Sequence, residues 1–127
     1  MKKYRYPLFV SRFAIVLWVI SIGSVCYLSL APQVEFPLDF QRADLVYHSL
    51  AYFWLSLPPF FGFAGSKKPL TYACLMFPLG LALEFAQIFF PGRLFSVFDI
   101  GANGFGVLFG TICGRYLGQI FHHWCPK

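Results

Sequence analysis

The chain has 127 residues, of which 58% are hydrophobic, 21% aromatic and only 12% charged. Ordinary soluble domains are about 25% charged, and a short chain has much surface for its volume, so too little polar surface exists to cover a water-soluble particle and lipid is the expected solvent. The net charge of +5 does not mark a nucleic-acid binder, because the basic residues stand at the ends of apolar runs rather than on one polar face.

A membrane-spanning helix needs about 20 predominantly apolar residues. Residues 13–31 supply the first, uninterrupted by charge and ended by Pro32. Its basic start and Ser29-Leu30-Ala31 ending resemble a signal peptide, but the apolar run exceeds the roughly 7–15 residues of a signal core, so an uncleaved helix is expected. Residues 45–63 form the second span, with Pro58-Pro59 kinking or breaking it near one end. Residues 70–90 form the third, with Pro69 in its first turn and a bend at Pro78. Residues 97–120 form the fourth, with Ser96 or Asp99 as a cap near its start.

Short connections make sequential helices antiparallel neighbours. The expected architecture is all-α: one integral membrane domain over residues 1–127, folded as a four-helix up-down bundle. Lys2, Lys3, Arg5, Arg12, Lys67, Lys68, Arg115 and Lys127 then fall on one side, and only Arg42 and Arg93 on the other. Positive charge favours the cytoplasm, so both termini are expected there, in a multi-pass protein of the bacterial inner membrane. All five acids, Glu35, Asp39, Asp44, Glu84 and Asp99, sort to the outer half.

Polar residues within spans are costly and face one another or a wet cavity. Asp44 and His48 share one face of the second helix, Glu84 and Gln87 one face of the third, and Asp99 and Asn103 one face of the fourth. By helical rise, His48 and Asn103 lie roughly 6 Å, and Glu84 roughly 9 Å, below the outer helix ends. Arg93, in the Pro91-Gly92-Arg93 loop, lies above them. An outward-facing polar pocket is expected, with Arg93, Gln87, Asp99 and Asn103 binding ligand and His48, Asp44 and Glu84 as candidates for acid/base chemistry. The alternative is a closed polar lock in which Arg93 and His48 merely neutralise Glu84 and Asp99.

Cys26, Cys74, Cys113 and Cys125 are scattered with no CxxC pair, so they are read as inert thiols and neither a metal site nor a cofactor is expected. His122, His123 and Cys125 could in principle bind a metal, but adjacent helical residues diverge, and Trp124 reads instead as an interfacial anchor. Ala102, Gly106, Gly110, Gly114 and Gly118 recur every four residues, a small-residue stripe for close helix packing. The stripe packs either within the chain or against a second copy, giving a homo-oligomer.

Asp44-x-x-x-His48 with Tyr52, Glu84-x-x-Gln87, Pro91-Gly92-Arg93 and Asp99-x-x-x-Asn103-x-x-Gly106-x-x-x-Gly110, in that order over residues 28 to 110, resemble the VanZ-like membrane proteins. Family members commonly carry a Lys directly after the Asp of the second helix. Here Leu45 stands there and Arg42 lies just before. The resemblance implies a link to glycopeptide (teicoplanin) susceptibility and supplies no mechanism. Three function classes follow: binding or remodelling of a cell-envelope component, such as a membrane lipid or cell-wall precursor at the outer leaflet; an enzyme acting on a lipid-linked glycan or headgroup; and a structural subunit or chaperone of a membrane complex.

Overall fold

The computed structural model describes residues 6–32 and 42–124, with side chains as far as His122. Lys2, Lys3, Arg5, Glu35, Asp39, Cys125 and Lys127, and the side chains of His123 and Trp124, lie outside the described residues. Among the described residues the only regular structure is helix: α1 (Leu8–Leu30), α2 (Ala43–Ser56), α3 (Pro59–Gly62), α4 (Lys68–Cys74), α5 (Met76–Gln87) and α6 (Val97–Trp124).

Three of these stretches are long and apolar enough to cross a membrane: Leu8–Leu30, Lys68–Gln87 and Val97–His122, with mean hydropathies of 2.2, 1.4 and 1.3. Burial runs opposite to that of a soluble protein. Phe9, Phe13, Ile20, Phe105, Leu108 and Ile112 are exposed, while Ser56, Glu84, Gln87, Asp99 and Asn103 are buried. Apolar solvent around the molecule accounts for this inversion.

The first helix starts five residues before the expected Phe13, because Leu8-Phe9-Val10 continue the apolar run and the extended backbone of Pro7 (ψ 142°) delivers the chain into it. The second expected span is divided. Pro58 and Pro59 lack N–H groups, so α2 stops at Ser56 and the short α3 resumes at Pro59. The carbonyl of Leu55, which residue 59 would otherwise satisfy, accepts a 2.8 Å hydrogen bond from Trp18 Nε1 of α1. Leu55 is fully buried and Trp18 nearly so, and an unpaired carbonyl there would cost about 1–3 kcal/mol. The third expected span is interrupted at Leu75, between α4 and α5. Pro78 cannot donate to Cys74, yet the ladder carries across through Leu75 N to Thr71 O (2.9 Å) and Leu79 N to Leu75 O (3.2 Å).

The small-residue stripe packs within the chain. A Cβ at Gly106 would strike the backbone of Ser49, and one at Gly110 the backbone of Phe53, both in α2. One at Gly114 would come within 2.6 Å of the Phe60 ring of α3. The α2–α6 pair is the most extensive helix interface, with α5 packed on α6 and α1 packed on α3 and α5. This draws α2, α5 and α6 together at the ends that carry Asp44, Glu84 and Asp99.

Candidate functional site

Glycines bring the polar residues together. Gly80 of α5 faces the Tyr52 ring and the Asn103 amide, and a Cβ there would lie 2.8 Å and 2.9 Å from them. Gly106 seats α6 against α2 one turn below Asn103. His48, Glu84, Asp99 and Asn103 therefore converge from three helices. Glu84 and Asn103 are each 1% exposed and Asp99 6%. The side chain of His48 is 20% exposed and forms the open edge of the cluster, with the exposed Asp44 beside it.

His48 sits between the two carboxylates. Its Nδ1 is 2.9 Å from Asn103 Oδ1, a hydrogen bond, and 3.8 Å from Glu84 Oε1. Its Nε2 is 3.6 Å from Asp99 Oδ2, beyond hydrogen-bonding distance. Asp44, four residues before His48, is close enough to Asp99 to act on it electrostatically.

Ser96 determines where the carboxylates point. Its Oγ accepts from the backbone N–H of Asp99 at 3.2 Å, capping α6 as expected. In a capping box the acid three residues on would reach back to the N–H of the cap. Here that N–H donates to Glu84 Oε2 at 3.3 Å instead. Asp99 is thereby left facing His48, and its Oδ1 is buried without a hydrogen-bond partner, as is Asn103 Nδ2.

Arg93 and Gln87 are placed differently from the expected ligand-binding groups. Residues 90–93 form a tight turn with Pro91 and Gly92 at its centre. Gly92 has φ 79° and Arg93 N donates to Phe90 O at 3.3 Å, as the Pro-Gly order suits. The turn directs Arg93 to the end of α1, where Nε donates to Ala31 O (2.9 Å) and Nη2 to Leu28 O (2.6 Å). Gln87 Nε2 donates to Ser29 O nearby (2.9 Å). The last carbonyls of a helix have no helical donors, and Pro32 removes the one that Leu28 would have had. A cation at this end also complements the helix dipole. Among the described residues, the only basic side chain within 4 Å of Glu84 or Asp99 is therefore His48. Arg42, with a left-handed backbone (φ 66°), holds its guanidinium 5.1 Å from the centre of the Phe98 ring, next to Asp99 in sequence.

One donor atom each from His48, Glu84 and Asp99 lie within 4.8 Å of one another, a set able to hold a metal ion. Cysteine spacing gave no sign of it, because its members come from three helices. Below the cluster, along the α2–α6 seam, runs an open apolar groove of about 240 Å³ lined by Ser49, Leu50, Phe53, Phe105, Gly106 and Phe109.

No protein-family model, curated protein or solved structure matches the chain.

Proposed function

We propose that this chain is a multi-pass protein of the bacterial inner membrane, related to the VanZ-like proteins, that binds or remodels a lipid-anchored component of the cell envelope. In this reading α1, α2–α3, α4–α5 and α6 are the four spans of an up-down bundle with both termini cytoplasmic. The His48–Glu84–Asp99–Asn103 centre then opens towards the outer leaflet. The observation that carries the reading is the pair of buried carboxylates that share one imidazole and, among the described residues, have no arginine or lysine within 4 Å. A closed lock pairs its charges, because a buried charge without a partner is costly. Here the cation nearest in sequence, Arg93, donates its hydrogen bonds to the end of α1 and reaches Glu84 only through space.

The centre is rich in acceptors. It suits hydroxyl and amino groups of a glycan or headgroup, and it takes up a phosphate only through a cation. The groove beneath it supplies an apolar channel for the ligand's alkyl chain. An enzymatic reading has one observation of its own: Asn103 holds His48 Nδ1, leaving Nε2, which faces Asp99, as the ring atom for proton exchange.

Native mass spectrometry of the purified protein tests the proposal. The wild type should retain a lipid-linked species that His48→Ala loses while staying folded, and cells carrying that variant should lose any effect on teicoplanin susceptibility. Equal lipid retention by both proteins would overturn it.

A further inference from the structure

We infer that His48, Glu84 and Asp99 bind a divalent transition-metal ion of the zinc type, with Asn103 orienting the imidazole. The inference uses the site of the reading above but does not depend on which envelope component is bound.

The geometry of His48 is the first argument. An amide oxygen only accepts, so the 2.9 Å contact with Asn103 Oδ1 places the proton on Nδ1. Nε2 then faces Asp99 Oδ2 at 3.6 Å, too far for a hydrogen bond. A metal ion placed between the two atoms would bind both, with Nε2 giving its lone pair and Asp99 a carboxylate oxygen. Tetrahedral zinc, with bonds of about 2.0–2.2 Å, separates neighbouring donor atoms by roughly 3.3–3.6 Å. The His48–Asp99 pair already has that separation. Glu84 offers the third donor: its Oε1 lies 3.8 Å from the His48 ring at Nδ1, and one donor atom from each of the three residues lies within 4.8 Å of the others. Metal-bound histidines usually donate their other N–H to a fixed oxygen, which is the place Asn103 holds.

The second argument is the buried carboxylate. Asp99 is 6% exposed, yet its Oδ1 has no hydrogen-bond partner. Such groups are rare because burying an unpartnered carboxylate oxygen is costly. An ion held by both oxygens of the Asp99 carboxylate satisfies it, and its charge offsets the buried carboxylates of Glu84 and Asp99, to which the exposed Asp44 lies close as well. The imidazole selects the class, since magnesium and calcium prefer sets composed entirely of oxygen. Three protein ligands leave a fourth position at the exposed edge of His48 for water or for an oxygen of the bound molecule.

The test uses the full chain, purified in detergent without a polyhistidine tag and stripped with EDTA. Zinc and magnesium are titrated by calorimetry, and metal content is measured after dialysis. The wild type should hold a single equivalent of zinc, melt at a higher temperature with it, and ignore magnesium. His48→Ala and Asp99→Asn should weaken zinc binding by more than about 100-fold, and Asn103→Ala by about ten-fold or more. His48→Cys, which keeps a zinc ligand, should still bind. The double variant His122→Ala/His123→Ala, at the far end of α6, should bind like the wild type. The inference is overturned if the wild type takes up no stoichiometric zinc, if His48→Ala binds as well as the wild type, or if binding follows His122 and His123. Because the wild-type titration alone can overturn it, a variant that fails to fold does not shield it. Retention of a lipid by protein that binds no zinc would refute the metal site and leave the envelope reading standing.

Discussion

Arg93 Nη2 donates a 2.6 Å hydrogen bond to the carbonyl oxygen of Leu28, the acceptor that Pro32 deprives of its helical donor. With the bond from Nε to Ala31 O, one guanidinium ties the loop before α6 to the end of α1. Hydrogen bonds to charged groups are worth about 1.5–3 kcal/mol each. This guanidinium is partly exposed, so the pair together is worth about 2 kcal/mol, and Arg93→Ala should lower the melting temperature in detergent by roughly 5–10 °C. Arg93→Lys should recover only part of the loss, because an ammonium group lacks the planar fork that reaches both carbonyls. A melting curve for Arg93→Ala that overlays the wild type would show that the two bonds contribute nothing to the fold.

This relationship also shows what the sequence could and could not disclose. The apolar runs, the break at Pro58-Pro59 and the Ser96 cap follow from local chemistry, and all were legible. The convergence of His48, Glu84, Asp99 and Asn103 could be anticipated because a polar group in an apolar helix must find another. The direction of Arg93 could not, since it depends on where α1 ends in space. Proline offers a usable signal after the fact. Pro32 and Pro59 each free a carbonyl four residues earlier, at Leu28 and Leu55, and a donor from a distant segment fills each place: Arg93 for one and Trp18 for the other. That His48, Glu84 and Asp99 come together as possible metal ligands was not legible, because they are separated by 36 and 15 residues and only packing brings them together.

The glycine stripe gives a matched pair of variants. At Gly106 a Cβ would meet the α2 backbone, whereas at Gly101 it would meet nothing within 4 Å. Backbone cannot yield as a flexible side chain does, so Gly106→Ala should destabilise by about 1–3 kcal/mol. Gly101→Ala should be neutral, or stabilising by up to about 1 kcal/mol through helix propensity. The two melting temperatures should move apart. Equal shifts would show that α2 and α6 are not in backbone contact at Gly106.

The orientation rests on charge, and Leu94 reports on it. Leu94 is 86% exposed in the loop before α6, on the side opposite Arg12, Lys67, Lys68 and Arg115. The positive-inside rule assigns that loop to the outside. A cysteine at Leu94, in a chain with Cys26, Cys74, Cys113 and Cys125 replaced, should react with a membrane-impermeant maleimide added to intact cells. Labelling only after the cells are opened would reverse the orientation and move the polar centre to the cytoplasmic face.

Glu84 separates a working site from a structural lock. Glu84→Gln removes one of the two carboxylates facing His48 while keeping an oxygen that can accept from the Ser96 N–H, now held by Glu84 Oε2 at 3.3 Å. If the cluster exists to hold the helices together, losing that charge breaks a stabilising pair, and the melting temperature should fall by several degrees. If the two carboxylates are retained for a ligand, they repel each other in its absence. The metal-stripped variant should then melt at the wild-type temperature or higher, because active sites commonly carry groups that cost stability. We expect the second result: a rise of zero to about 4 °C, which corresponds to about 1 kcal/mol or less, together with loss of lipid retention and of any cellular phenotype. Leu94→Gln, exposed and remote from His48, should change neither. A fall in melting temperature for Glu84→Gln that matches its loss of phenotype would instead make the buried carboxylates structural, with His48 as their counter-ion.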